Sequence, residues 1–242
     1  DHNNNLPIMT EAYELSKRLF GAAHRDTLGA LDNLGMLYMD MGQFHKAKDL
    51  LEQVYERRKT LFGEFHRHSL YSVEQLGKLN LLTGHYPKSE ALYRLCLVKR
   101  SEIYAEKHPY ILRCQKGLGL ILLTQGKYVA AKAIIEQHIQ LASSTLGAKH
   151  PEVLNSKHSL AGVYLGLGQL DLADSLYRQT LALRRSVLGR EHVSSLQSQV
   201  KLAQVLRLQQ GFAEALPLID EALARLSQVL GFEHHISLDV AQ

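Results

Sequence analysis

Histidine is the residue type whose placement first suggests chemistry in this chain. Six of the thirteen histidines, His24, His66, His108, His150, His192 and His234, stand 42 residues apart. Imidazole is a common zinc ligand and the common general base near neutral pH, so a regular row of imidazoles raises a metal or acid–base reading. The spacing argues against it. Side chains at equivalent places in successive structural units are separated by at least one helix-packing distance, roughly 8–10 Å, whereas ligands sharing a zinc each stand about 2.0–2.1 Å from the ion. The neighbours His66 with His68, and His234 with His235, have no further ligand at a recognisable spacing. Cys96 and Cys114 form no CxxC pair and read as two half-buried small side chains in a reducing compartment. No GxSxG, HExxH, Walker A or dinucleotide-binding glycine pattern occurs, and Gly117-Leu118-Gly119 lacks the third glycine. No catalytic residue, cofactor or metal is therefore expected.

The histidine row marks a repeat instead, and repeats decide a fold before any local pattern does. Leu19-Phe20-Gly21, Leu61-Phe62-Gly63, Leu146-Gly147, Leu188-Gly189 and Leu230-Gly231 precede the histidines at the same step; only Ile103-Tyr104-Ala105 departs. Leu34, Leu76, Leu118, Leu160 and Leu202 form a second column, followed directly by Gly35, Gly77, Gly119, Ala161 and Ala203. Gly42, Gly84, Gly126 and Gly168 form a third, which the fifth copy shifts to Gly211 behind Gln210. Ala47, Ser89, Ala131, Ala173 and Ala215 form a fourth.

Each column has a mechanical meaning. Glycine at 42 and its equivalents suits a left-handed C-cap that ends one helix and reverses the chain. Small residues at 35 and 47, and at their equivalents, let two antiparallel helices approach closely. Apolar residues recur between them at helical spacing, as in Leu31, Leu34, Tyr38 and Met41. The spacing predicts an all-α solenoid of about five helical hairpins, residues 25–62, 67–104, 109–146, 151–188 and 193–230 of one domain spanning 1–242. Partial helices are expected at 7–20 and 235–242, as in an array cut from a longer one.

Bulk composition agrees with a folded protein, 45% apolar and 21% charged. The longest apolar runs fall short of the about 18 residues that span a bilayer, so no membrane partner is expected. The start is polar and lacks a secretory core, which points to the cytoplasm. A net charge of +4 suits acidic partners but falls short of a nucleic-acid signature.

Leu34-Gly35-Met36-Leu37-Tyr38, with Gly42, Phe44 and Ala47 behind it, resembles the tetratricopeptide repeat (TPR), whose common form has about 34 residues. The longer period, closing in Leu146-Gly147-Ala148-Lys149-His150-Pro151, is similar to the kinesin-light-chain type; similar arrays occur in ciliary scaffolds and in sensor regions of signalling ATPases. Kinesin light chains carry paired asparagines before the Leu-Ala/Gly step, of which only Asn33 stands here. The resemblance implies a right-handed superhelix and a non-enzymatic adaptor or scaffold whose first helices line a concave, peptide-binding face. The alternative it leaves open is a regulatory array inside a larger signalling protein, contacting that protein's other domains.

Counted from the Leu and Gly columns, the residues expected on that face are Asn33, Met36, Gln75, Lys78, Arg113, Lys116, Leu120, Asn155, His158, Lys201, Gln204 and Arg207. Asp32, Asp40 and Glu74 make its first third acidic, while lysines and arginines, with a partly protonatable His158, make the rest basic. An extended peptide whose acidic end lies toward repeats two to five is the expected ligand.

Overall fold

A computed structural model describes residues 2–230, and all regular elements among the described residues are α-helices. They are α1 (His2–Phe20), α2 (Arg25–Asp40), α3 (Phe44–Phe62), α4 (Arg67–Leu82), α5 (Tyr86–Ser101), α6 (Pro109–Thr124), α7 (Tyr128–Leu146), α8 (Pro151–Gly166), α9 (Leu170–Leu188), α10 (Val193–Leu208) and α11 (Phe212–Leu230). The even-numbered helices are the first helices of the hairpins. The expected histidine at 234 and helix at 235–242 lie outside the described residues. At the other end, α1 starts before Pro7 rather than at it.

The chain divides into two compact units, Asp1–Ile121 and Leu122–Gln242, with the division inside α6. In the N-terminal unit α1 packs on α2, α2 on α3, α3 on α4 and α4 on α5; in the C-terminal unit α7 packs on α8, α8 on α9, α9 on α10 and α10 on α11.

The periodic histidines are helix N-caps. His24, His66, His150 and His192 have extended backbone, and Nδ1 of each accepts from the backbone N–H two residues on, at 3.1–3.3 Å. His108 accepts in the same way from the Tyr110 N–H at 3.2 Å. Each ring thus satisfies one of the orphan donors of a first turn, and Pro109 and Pro151 stand where no donor is needed. Phe20, Phe62 and Tyr104 stack on the histidine four residues later, at 4.9, 5.0 and 4.1 Å between ring centroids.

Gly63, Gly147 and Gly189 close α3, α7 and α9 at φ of 96°, 92° and 98°. Ala105 stands in that column after α5, and there the helix stops at Ser101, earlier than the spacing predicted, because the turn is built without a left-handed residue. Between the helices of each hairpin Gly42, Gly84, Gly126 and Gly168 have φ of 71–78°. In the fifth copy Gln210 itself takes φ 64°, and the glycine beside it does not.

The small-residue columns are contact points. A Cβ on Gly35 would meet Leu51 at 3.0 Å, and one on Gly77 would meet the Tyr93 ring at 2.8 Å. In the C-terminal unit Ala161, Ala173, Ala203 and Ala215 lie in one core with Tyr177, Leu181, Leu202 and Leu206.

Candidate functional site

Charges counted as surface from the sequence prove to be internal. Arg58 of α3 and Arg100 of α5 stand 42 residues apart, and each guanidinium turns into the seam between its own first helix and the next one. Arg58 Nη1 donates to Asp32 Oδ2 at 2.8 Å and to Ser72 Oγ at 2.8 Å. Arg100 Nη1 donates to Glu74 Oε2 at 2.6 Å, to the Tyr110 carbonyl at 3.2 Å and to Cys114 Sγ at 3.0 Å. Both carboxylates are buried, Asp32 at 2% exposure and Glu74 at 5%. Two of the three acids of the expected face, Asp32 and Glu74, therefore face inward, held by arginines of the second helices, while Asp40 is exposed and stands 3.5 Å from Lys78. Burial raises the Asp32 carboxyl against the lowering by Arg58. The two cysteines are fully buried rather than half-buried, and a hydrogen bond from Cys96 to Cys114, with Arg100 beside the latter, holds the Cys114 thiol below the usual range.

Arg113 adds a second guanidinium to the same acid, donating to Glu74 Oε2 at 2.8 Å, and stays a third exposed. Its guanidinium lies over the Tyr71 and Tyr110 rings at 5.2 and 5.3 Å. Next to it a cleft of about 320 Å³ opens on the first-helix face, lined by Asn33, Arg58, Arg67, His68, Tyr71 and Tyr110 among others. Arg67 is exposed and forms no ion pair among the described residues. Burial, then Arg67, lowers the His68 imidazole, so it is neutral. The lining holds one carboxylate, Asp32, paired with Arg58, and Arg67 beyond it, which gives this cleft a cationic surplus beside two aromatic faces.

In the C-terminal unit Arg184 of α9 continues the arginine column. Its Nη1 donates to the Ser194 carbonyl at 2.6 Å and to Ser198 Oγ at 2.7 Å, and its Nη2 to Asn155 Oδ1 at 2.6 Å. His158 stands in the column of Asp32 and Glu74, with Nδ1 3.1 Å from Ser198 Oγ and its ring edge-on to Tyr177 at 5.2 Å. Burial first, then Arg184 and Lys201, pushes this imidazole down to about 3, so it is neutral and not the partial cation expected from the sequence.

Tetratricopeptide-repeat models match residues 27–68, 66–144, 118–186 and 152–228. The chain belongs to the tetratricopeptide repeat family. Among solved structures it is similar to a Podosopora anserina protein described as a kinesin light chain with nearly identical TPR-like repeats (27% identity, TM-score 0.69, covering 86% of this chain and 98% of that one). It shares its fold with BtubC (BKLC) of P. vanneervenii (18%, TM-score 0.74, 97% and 94%) and with a Rap protein complexed with competence and sporulation factor (12%, TM-score 0.68, 96% and 66%). No curated protein matches at a significant level. The resemblance to kinesin-light-chain-type repeats thus holds at the level of fold and family.

Within these tetratricopeptide repeats the expected face residues separate by environment. Asn33 lines the cleft, Met36 Sδ lies 3.5 Å from the Tyr71 hydroxyl, and Arg113 borders the cleft from α6. Gln75 is buried, at 8% exposure, and faces the core rather than solvent. Lys116 is half-buried and Leu120 exposed. In the other unit Asn155 and His158 converge on Arg184 and Ser198, Lys201 Nζ donates to Gln204 Oε1 at 3.1 Å, and Arg207 is exposed. Sequence reasoning passed over Arg58, Arg67, Tyr110 and Arg184. The column of Arg58, Arg100 and Arg184 was legible as a repeat position; its direction was not, since a second-helix arginine of helical phase alone reads as solvated. Among the described residues no group of three or more His, Cys, Asp or Glu side chains is placed to hold a metal ion, and no helix is long and apolar enough to cross a membrane.

Proposed function

We propose that this protein is a non-enzymatic protein-interaction module whose first-helix face takes up a peptide segment bearing acidic side chains. One observation carries the proposal: in the N-terminal unit the cleft beside Asn33 is lined by one carboxylate, Asp32, and two guanidiniums, Arg58 and Arg67, and Asp32 is taken by Arg58 while Arg67 is exposed and forms no ion pair among the described residues. Guanidinium groups recognise carboxylates in a bidentate manner, Tyr71 and Tyr110 offer flat apolar surface with low entropy loss, and Asn33 is placed to hold a peptide backbone. The structure of the Rap protein, of the same fold, holds a bound factor, which supports a ligand-receiving role for such arrays. In the C-terminal unit Lys201 and Arg207 give the first-helix face the same sign.

Selection of a random peptide library on the purified chain tests this. Acidic residues, Asp or Glu beside an aromatic or aliphatic position, are expected to be enriched, and the enrichment is expected to fall at least about tenfold for Arg67→Glu, the loss of one good charged contact. A neutral or basic consensus, or selection indifferent to Arg67→Glu, defeats the proposal.

A further inference from the structure

Three arginines occupy the same place in three repeats, and one of them lacks what the other two hold. Arg58 and Arg100 each bond a carboxylate from the first helix of the same hairpin and a side chain from the next first helix, Ser72 or Cys114. Arg184 keeps the second contact, to Ser198, and the carbonyl contact that Arg100 makes to Tyr110, here to Ser194. The acid is missing: neutral His158 stands where Asp32 and Glu74 stand, and Arg184 meets no carboxylate among the described residues. Its guanidinium is nevertheless buried, at 2% exposure, with Nε unbonded. Buried charges are ordinarily paired, since an isolated one loses its hydration without recompense. Burial pulls the group down to about 10, consistent with that missing partner. The neutral Asn155 Oδ1 that covers Nη2 belongs to an exposed side chain on α8, and Lys201 contributes a second cation to the surroundings of His158.

We infer that Arg184, Ser198 and Asn155 form a carboxylate-binding slot in the C-terminal unit, which accepts from a bound peptide the acid that Asp32 and Glu74 supply internally to Arg58 and Arg100. The guest oxygen displaces the Asn155 amide from Nη2, and the amide N–H2, once released, donates to the same carboxylate. Ser198 Oγ stays bonded to Arg184 and keeps its hydrogen bond with His158 Nδ1, which holds the neutral ring in place. Side-chain carboxylates of Asp or Glu and a free C-terminus share this chemistry. The slot goes beyond the cleft of the N-terminal unit and does not depend on it.

The test follows the Nε–Hε resonance of Arg184 in the full chain by NMR, assigned through its loss in Arg184→Lys, during titration with three short peptides. Ac-Gly-Glu-Gly-amide carries a side-chain carboxylate, Ac-Gly-Gly-OH a terminal one, and Ac-Gly-Gln-Gly-amide none. A saturable shift with one or both acids and none with the glutamine peptide is expected, the larger response naming the source of the carboxylate. Asn155→Asp places a carboxylate on Nη2 without changing side-chain shape; it is expected to raise Tm by about 2–4 °C and to weaken the acid peptides at least about tenfold. Equal shifts with the glutamine peptide, or an acid response that survives Asn155→Asp, overturn the inference. Because the readout is confined to Arg184 and short probes, it succeeds or fails apart from the Arg67 experiment on the other unit.

Discussion

The ring of Tyr93 occupies the space that a side chain on Gly117 would need. Tyr93 projects from α5 and meets Gly77 of α4 on one edge and Gly117 of α6 on the other, so one aromatic residue fixes the approach of two first helices. The ring is 6% exposed, and its burial raises the hydroxyl above the ordinary tyrosine range.

Gly117→Ala is therefore expected to destabilise the chain by about 1–2 kcal/mol, the overpacking of a tight contact less the gain in helix propensity. Denaturant unfolding monitored by circular dichroism measures it. Tyr93→Leu in the same chain should recover part of the loss, because the two residues share one contact. Additive losses would show that the ring is not what Gly117 accommodates.

Gln210 is a different kind of irregularity. At φ 64° it is the single non-glycine residue with left-handed backbone among the described residues, in a turn where Gly42, Gly84, Gly126 and Gly168 serve the other hairpins. A left-handed conformation costs an L-residue about 1–2 kcal/mol. Gln210→Gly is expected to stabilise by roughly 0.5–1 kcal/mol after the extra entropy of the unfolded chain is deducted. A lower thermal midpoint would contradict it.

The N-cap role of the histidines predicts a ranking. His150→Ala removes the acceptor for the Glu152 N–H and should cost about 1 kcal/mol, whereas His150→Asn, another good cap, should lose little. If the two variants melt alike, the hydrogen bond is not what the position contributes.

His158 predicts an acid sensitivity. Its folded-state value, about 3, lies below the ordinary 6.5, so above pH 6.5 the ring is neutral in both states and its contribution is fully present. As pH falls below 6.5 the unfolded chain takes up a proton that the folded chain refuses, and stability drops by about 1.4 kcal/mol per pH unit until pH nears 3. The groups around it, Arg184, Lys201, Ser198 and Tyr177, provide no acid to reverse the sign. Between pH 6.5 and 5 the chain should lose about 2 kcal/mol that His158→Gln does not lose. Parallel pH profiles for the two proteins would rule this out.

Much of the fold was written in spacing that needs no third dimension. A cap histidine acts on its own first turn, a left-handed glycine ends its own helix, and a small residue at a crossing recurs with the crossing, so each repeats at 42 residues in the sequence as in the structure. Where a column lost its residue, the effect could be local in either direction: without glycine at 105 the helix shortened, while Gln210 kept the turn by adopting its strained backbone.

The sequence alone determined the period, the hairpins and the caps, because those follow from interactions within about one turn of the chain. Only the tertiary structure decided which charges are available to a partner. Asp32 and Glu74 look identical to surface acids until arginines 26 residues further along the chain reach back across the hairpin to bury them, and Arg184 looks like its equivalents until the place of its acid is found to hold a neutral imidazole. Ion pairing and desolvation depend on distance through space, and at that range chain position says nothing about who meets whom.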